Sequence, residues 1–469
     1  MALGKRRHHR EQELFIAVTS MPRSPGHPFY RQLNLLLQEA GFDKEVESMC
    51  KPLYAEGRGR PSIPPGVYFR MLLVGYFEGI DSQRGIAWRC ADSRSLQEFL
   101  GLGLTDRSPD HSSLTRVRKR LPLEIHAEAF AFIVRIARDK GLVKGKILAV
   151  DSTTLEANAA MKSIVRRDTG VDWTDYVRDL AEEAGIEDPD EDDLRRFDRK
   201  RSGKKVSNKD WMAPSDPDAR IAKMKDGRTR MAYKAQHAID ADSEIIVAAT
   251  IHHADEPDSE IIKDSLMESA GVLGLAGAEL TYEDVIADKG YHKAETLAWL
   301  EERGMRAYVS EPKRRRRRKW GGKPGAWEHA YRANRRRSKG ARSSMLHRLR
   351  SERVERSFAH TCRTGRARRT WLRGIDEVGK RYMIQAAARN LGTIMRSLFG
   401  IGTPRALQSA AKRLLGVFGR VLGALCARLD QMATNCLSKM AASTIPDLIL
   451  IKSQTGSFPQ LRAPYSTAC

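Results

Sequence analysis

The chain is poor in the residues that would mark a secreted, zinc-bound or membrane-spanning protein. Its six cysteines, at 50, 90, 362, 426, 436 and 469, stand singly, with no CxxC pair and no histidine at metal-ligand spacing. That pattern argues against both a disulfide scaffold and a zinc finger, and reads as reduced, mostly buried thiols. Long apolar runs are also missing. The longest, LLGVFGRVLGAL at 414–425, is interrupted by Arg420 and falls well short of the ~20 residues that cross a bilayer. After its basic start the N-terminus has only the short apolar stretch 14–18, too little for a signal peptide. The expectation is a cytoplasmic, nucleoid-associated protein with no membrane partner. Acids are scarce too: 59 Asp and Glu face 82 Lys and Arg, a formal net charge of +23. Such a chain accumulates on polyanions by releasing their counterions. Charge alone does not define a function, because ribosome-associated and membrane-surface proteins are also basic.

What is present is a long chain, 469 residues at 41% hydrophobic content, enough for two or three domains with substantial cores. Residues 27–142 carry helical periodicity. Leu33, Leu36, Leu37 and Ala40 form one stripe, and Tyr68, Met71, Leu72 and Tyr76 another. Between them RGRPSIPPG (58–66) is a loop by its proline and glycine content. The segment SPDHSSLTRVRKRL (108–121) offers Asp110 or Ser112 as an N-cap. The helix that follows exposes Arg116, Arg118, Lys119 and Arg120, either to a DNA major groove or simply to solvent beside a neighbouring domain.

From Lys146 the period changes to short apolar runs. A strand at 147–150 ends at Asp151, and after a long polar insertion two β-rich runs, 231–240 and 244–253, read as a hairpin. A helix (258–272), a strand (284–287), a helix (293–303) and a strand (306–309) follow, predicting a mixed sheet with helices on its faces. Two insertions interrupt this order. Residues 168–225 contain the acidic run EDPDEDD, which is usually a solvated loop. Residues 313–350 contain sixteen Lys and Arg against the lone acid Glu328, with Trp320, Trp327 and Tyr331 interleaved. Planar rings among cations suit base stacking or phosphate contact, and also suit a plain basic surface loop. A periodic helix covers 380–398, with Met383, Ala387, Leu391, Ile394 and Leu398 on one face. Residues 401–469 read as helices and a mobile tail, and 1–26 as a flexible basic leader.

Three runs end in a carboxylate: KILAVDST at Asp151, DVIADKGY at Asp288 and ERVERSF at Glu355. Two-metal phosphoryl transfer needs oxygen ligands that hold cations about 3.5 to 4 Å apart, and Mg2+ takes only one or two carboxylates per ion. Each Asp taken singly is equally an ordinary cap or turn residue. Their ordered conjunction is what points to chemistry. Glu352, three residues from Glu355 on the same helix, competes with it for the third place.

The stretches AVDSTTLEANA (149–159), KDGRTRMAYKAQHAID (225–240), IADKGYH (286–292), YVSEP (308–312), ERVERSFAH (352–360) and RRTWLRG (368–374) together resemble the DDE transposases of bacterial insertion sequences. The likeness runs from about residue 30 to 405. It implies an α/β, ribonuclease H-like mixed sheet with flanking helices, preceded by an all-α N-terminal domain and followed by C-terminal helices. It also implies that Asp151, Asp288 and Glu355 are the catalytic metal ligands, holding two Mg2+ or Mn2+ ions, and Glu355 occupies the family's Glu-Arg position. The expected activity is cleavage at insertion-sequence ends and strand transfer into target DNA, by a homodimer on double-stranded DNA carrying terminal inverted repeats. The flank of the glutamate departs from the family pattern: Arg348 stands where Tyr is usual, Ser351 where Arg is usual, and Cys362 seven after. Arg348, Arg356 and Arg363 are therefore the candidates for positioning the scissile phosphate. Lys289, Tyr291 and His292 follow the second Asp and are candidates for DNA contact, as is Trp320. A catalytically inactive, transposase-derived DNA-binding protein and a nuclease without strand transfer are the alternatives.

Overall fold

The computed structural model describes residues 26–55, 61–202, 207–278, 281–313 and 318–406. The apolar run at 414–425, the leader, the loop residues 56–60 and most of the Arg run at 314–317 lie outside them. No helix among the described residues is long and apolar enough to cross a membrane.

Helices come first: α1 (Pro28–Glu39), α2 (Phe42–Cys50), α3 (Pro65–Glu78), α4 (Gln83–Ala91), α5 (Arg94–Phe99), α6 (His111–Arg120) and α7 (Leu123–Asp139). Their starts follow local chemistry. Proline occupies the first turn of α1 and α3, where a missing N–H costs nothing. Asp110, not Ser112, caps α6, its Oδ1 accepting from the Ser112 N–H at 2.7 Å. The α1 stripe Leu33, Leu36 and Leu37 is buried, and α3 is buried on nearly every side. Gly75 permits that: a Cβ there would lie 2.6 Å from Ile86 Cδ1 on α4. The core formed by these helices continues without a break into that of the sheet, from Phe29 to Met395.

The second half runs β1 (Ile147–Glu156), β2 (Val165–Arg166), α8 (Trp173–Glu183), α9 (Glu191–Lys200), β3 (Trp211–Met212), β4 (Arg220–Lys223), β5 (Thr229–Asp240), β6 (Ile246–His253), α10 (Asp258–Leu275), β7 (Asp284–Ala287), α11 (Ala294–Glu302), β8 (Arg306–Val309), α12 (Gly325–Ser338), α13 (Ala341–Ala359) and α14 (Ile375–Phe399). Strands β6, β5 and β1 are antiparallel, β1, β7 and β8 parallel, and β4 extends the β6 edge of β5. This is the mixed sheet of the ribonuclease H-like expectation. Helices α10 and α11 cover one face, α13 and α14 the other, and α7 contacts both α10 and α14.

Three expectations change. Strand β1 does not stop at Asp151. It runs on to Glu156, because Asp151–Glu156 pair with Ala232–His237 of β5, so polar residues are held in the strand by a partner and not by hydrophobicity. The acidic run at 187–193 is a helix start, with Asp190 accepting from the N–H groups of Asp192 and Asp193 to cap α9. The basic stretch at 313–350 folds largely into α12 and the first half of α13, packed on α11, β7 and β8. On α14, Met383, Ala387, Leu391 and Ile394 are buried as the periodicity requires, while Leu398 stays 41% exposed near the helix end.

Candidate active site

Strands β1 and β7 run parallel with Ala149 opposite Ile286. Two residues further on, the same register and the same face carry Asp151 and Asp288. Asp151 sits in the middle of β1, half-buried, and Asp288 sits one residue past the end of β7. The two carboxylates feel each other: burial raises the Asp151 pKa and the Asp288 charge adds to the rise, while Arg350 opposes it. Arg350 donates from Nη1 to Asp151 Oδ2 at 2.6 Å, and the Ser152 N–H donates to Oδ1 at 2.8 Å. Asp288 is fixed by its own turn, since its Oδ1 accepts from the Gly290 N–H at 2.6 Å. Glycine at 290 leaves room for both carboxylates, because a Cβ there would stand 2.8 Å from Asp258 Oδ2 and 3.0 Å from Asp288 Oδ1 and make them shift. Asp258, at the start of α10, supports the site from the other face of the sheet. It accepts from Ser152 Oγ at 2.9 Å and pairs with Lys234 at 3.1 Å.

Helix α13 crosses the face that carries the two aspartates. Its buried stripe is Ser343, Leu346, Val354, Ser357 and Phe358, with Leu346 against Ile286 and Tyr308. Arg350 lies on that stripe with its side chain only 14% exposed, which is how it reaches Asp151. One flank of the helix then carries His347, Ser351 and Glu355 at successive turns. His347 senses the Asp288 charge, although burial dominates and lowers its pKa. The other flank carries Arg353 and Arg356, which turn away to Glu244 at the β5–β6 connection. Glu355 is thus on the same flank as His347, two turns further along the helix. It is exposed, and its Oε1 accepts from Ser351 Oγ at 3.1 Å. Glu352 points to solvent and is held by Arg356 at 2.6 Å, which leaves Glu355 the better placed of the two.

The sequence expected three carboxylates at one point. The structure draws two together and leaves the third, Glu355, exposed on α13 and bonded to Ser351, and no group of three His, Cys, Asp or Glu side chains among the described residues is arranged to hold a metal ion. The pair itself fits a hard divalent cation: both ligands are carboxylate oxygens, and Asp151 bears a burial cost that a second positive charge would relieve.

Under Asp151 lies His237 of β5, its partner across the ladder. It is fully buried, stacks on Phe358 with ring centroids 4.2 Å apart, and engages Ser357 Oγ at 2.9 Å and the Tyr382 hydroxyl at 2.8 Å. Burial brings its pKa down to about 3, so it is a neutral pin joining the sheet to α13 and α14.

The DNA-contact candidates separate by exposure. Lys289, Arg348, Arg363, Arg116, Lys119 and Arg120 are exposed cations. Arg120 lies over the Tyr54 ring at 4.9 Å. Arg118 pairs internally with Glu377 on α14 at 2.5 Å, and Arg356 with Glu244 and Glu352. Tyr291 is fully buried, with its hydroxyl accepting from Gln236 at 3.0 Å, and His292 is 7% exposed against Tyr331. Both support the turn from within, a correction to their reading as DNA contacts; the short 3-10 turn after Asp288 rolls them under the sheet edge. Trp320 is half-buried edge-on to Tyr331 with Arg318 above it at 4.7 Å, and Tyr331 is itself buried. These rings form a packed cluster and not an open stacking platform.

Sequence reasoning missed Arg350, His347, His237, Lys234 and Asp258. The only signal for Arg350 was its place one turn before Val354 on an amphipathic helix, and the others carried none. It also could not place RRTWLRG, which the structure lays along the end of β1: Arg368 O accepts from the Glu156 N–H and the Thr370 N–H donates back to Glu156 O, each at 2.9 Å. Arg369 and Arg373 there join Arg228 and Arg230 around a cavity of about 630 Å³.

Comparison with known families gives two matches. Residues 144–391 match the model described as the transposase DDE domain. Residues 20–120 match a second, described as a transposase domain (DUF772). No curated protein matches the chain.

Proposed function

Because the chain belongs to the transposase DDE family and its function is that of a DNA transposase, we propose that Asp151, Asp288 and Glu355 hold two Mg2+ or Mn2+ ions. These carry end cleavage and strand transfer at one site. The observation that carries this reading is the placement of Asp151 and Asp288 side by side on one sheet face, with Glu355 on α13, the helix that crosses that face. Bound cations would supply Lewis-acid stabilisation of the attacking and leaving oxygens. The chain's own residues do the rest. The sheet fixes the two aspartates and α13 supplies Glu355, whose side chain exchanges its Ser351 hydrogen bond for the site. Arg350 balances the charge of Asp151 before DNA arrives.

In the first step a water oxygen bonds to the phosphorus at the element end, the P–O3′ bond breaks, and the 3′-OH is released. In the second, that 3′ oxygen bonds to a target phosphorus and displaces the target's own 3′ oxygen. The exposed cations Arg116, Lys119, Arg120, Lys289, Arg348 and Arg363 contact backbone phosphates of inverted-repeat and target DNA. Two ends are paired by a homodimer, acting at nucleoid DNA.

The test uses donor duplexes bearing the element's ends, supercoiled target plasmid and Mg2+. Wild type yields joined products, while Asp151→Asn, Asp288→Asn and Glu355→Gln lose cleavage and joining yet retain DNA binding. Cleavage without joining would make the protein a nuclease. Full activity in Glu355→Gln together with loss in Glu352→Gln would move the third ligand to Glu352.

A further inference from the structure

On the flank of α13 opposite Glu355, four arginines converge on one carboxylate. Glu244, in the tight β5–β6 connection, is held at φ 65 and is 3% exposed. Its Oε1 takes Arg353 at 2.7 Å and also Arg356, while its Oε2 takes Arg389 at 3.1 Å and Arg396 at 3.8 Å. Arg389 further donates to the Glu244 carbonyl. Glu244, Arg353, Arg356 and Arg396 line a cavity of about 700 Å³, with Lys144, His360, Asp242 and Thr393 also on its wall, while Arg389 is buried against Glu244.

One carboxylate offers about four lone-pair sites and each guanidinium brings five donors, so most of the donors here are left over for another acceptor. The charge count says the same. Four arginines and Lys144 face Glu244, the wall residue Asp242, and Glu352, which pairs with Arg356. The surplus is positive and sits on a partly buried floor, where like charges repel more strongly than in water. Two neighbours register that field. Burial brings Arg389 down to about 10 against the opposing pull of Glu244, with Arg396 a smaller push downward. His360 is lowered by burial and then by Arg389 and Arg396.

We propose that this cavity is a phosphate-binding site that grips the DNA backbone beside the active site, an inference that rests on the DNA transposase reading. Bidentate guanidinium forks match the phosphodiester, and a bound phosphate relieves the crowding of cations around Glu244. Arg353 and Arg356 follow Arg350 by about 4.5 to 9 Å along α13. The same helix therefore pairs with Asp151 of the acid pair through Arg350 and supplies Arg353 and Arg356 to the phosphate grip.

The experiment measures duplex binding by fluorescence anisotropy across a salt series for wild type, Arg396→Gln and Arg353→Gln. Arg199→Gln, an exposed arginine on α9, is the charge-matched control. Each lost phosphate contact lowers the slope of log affinity against log salt by about 0.9. We expect that drop in both cavity variants, several-fold weaker binding at fixed salt, and recovery of the slope in Arg396→Lys. Arg396 is 46% exposed and makes the longest of the four contacts, so its removal leaves Glu244 three partners and the fold intact even if Arg353→Gln unfolds. Cavity variants that track Arg199→Gln overturn the site. A wild-type protein that binds no duplex at all overturns the DNA reading instead.

Discussion

Acid should loosen this protein through two histidines that the fold keeps neutral. His126, under α3, engages the Tyr68 hydroxyl at 3.0 Å and the Pro122 carbonyl at 2.9 Å, and burial lowers its pKa to about 4. His237, under Asp151, is lowered to about 3 by burial and by Arg389. An unfolded histidine titrates near 6.5. Each folded pKa is therefore depressed below its unfolded value, the native state binds fewer protons, and stability rises with pH. The contribution is complete above about pH 6.5 and is lost as pH falls from there toward the folded values. Each histidine adds a slope of about 1.4 kcal/mol per pH unit in that window, so the pair adds about 3. Between pH 6.5 and 4.5 the loss approaches about 5 kcal/mol, a large part of the roughly 5 to 15 kcal/mol that holds a domain together. Urea unfolding at a series of pH values should show this slope in wild type. In His237→Gln the stability is lower throughout but the slope is shallower by about 1.4 kcal/mol per pH unit. Parallel slopes for the two proteins would refute the neutral, buried histidine.

Three further outcomes follow from the same geometry. Replacing Arg350 by Ala removes the cation paired with Asp151 at 2.6 Å. Mn2+ binding to the protein alone, followed by calorimetry, should tighten about three- to tenfold, and weaker binding would mean that Arg350 does not compete with a metal. Gly290→Ala forces its Cβ against Asp258 and Asp288. Displacing a ligand by a fraction of an ångström should cut joining by about 10²-fold with little change in melting temperature, and a fully active variant would remove Asp288 from the site. Leu346→Ala empties the contact of α13 with Ile286 and Tyr308. It should cost about 2 to 4 kcal/mol in denaturant unfolding, and a change below about 0.5 kcal/mol would show that α13 is anchored elsewhere.

How much could be read in advance depended on distance along the chain. Strands β7 and β8 were predicted at the bounds they have, and the hairpin β5–β6 and helices α10 and α11 close to theirs, because periodicity, turns and caps act over a few neighbouring residues. Of the candidate acids only Asp288 lies at a boundary that its local run defines, one residue past β7, whereas Asp151 sits inside β1 and Glu355 inside α13. The second half of β1 was not legible, since its polar residues are held by β5, some eighty residues later, and at Glu156 by the 368–370 segment. Nor was the burial of Tyr291 and His292, which depends on where the turn after Asp288 meets the sheet.

By itself, then, the sequence determined a basic, DNA-directed chain and its alternation of strands and helices, and it named three acids as candidates for catalysis. Only the tertiary structure decided which charges are free. Arg118 is taken by Glu377, 259 positions away, and Asp151 by Arg350, 199 positions away. Four arginines meet at Glu244, and Glu355 stands on the flank of α13 and not on its buried stripe. The reason is that a charge acts over a few ångströms of space whatever the separation in sequence. Composition counts the arginines of this chain, and packing alone decides which of them are paired within the fold and which stay exposed.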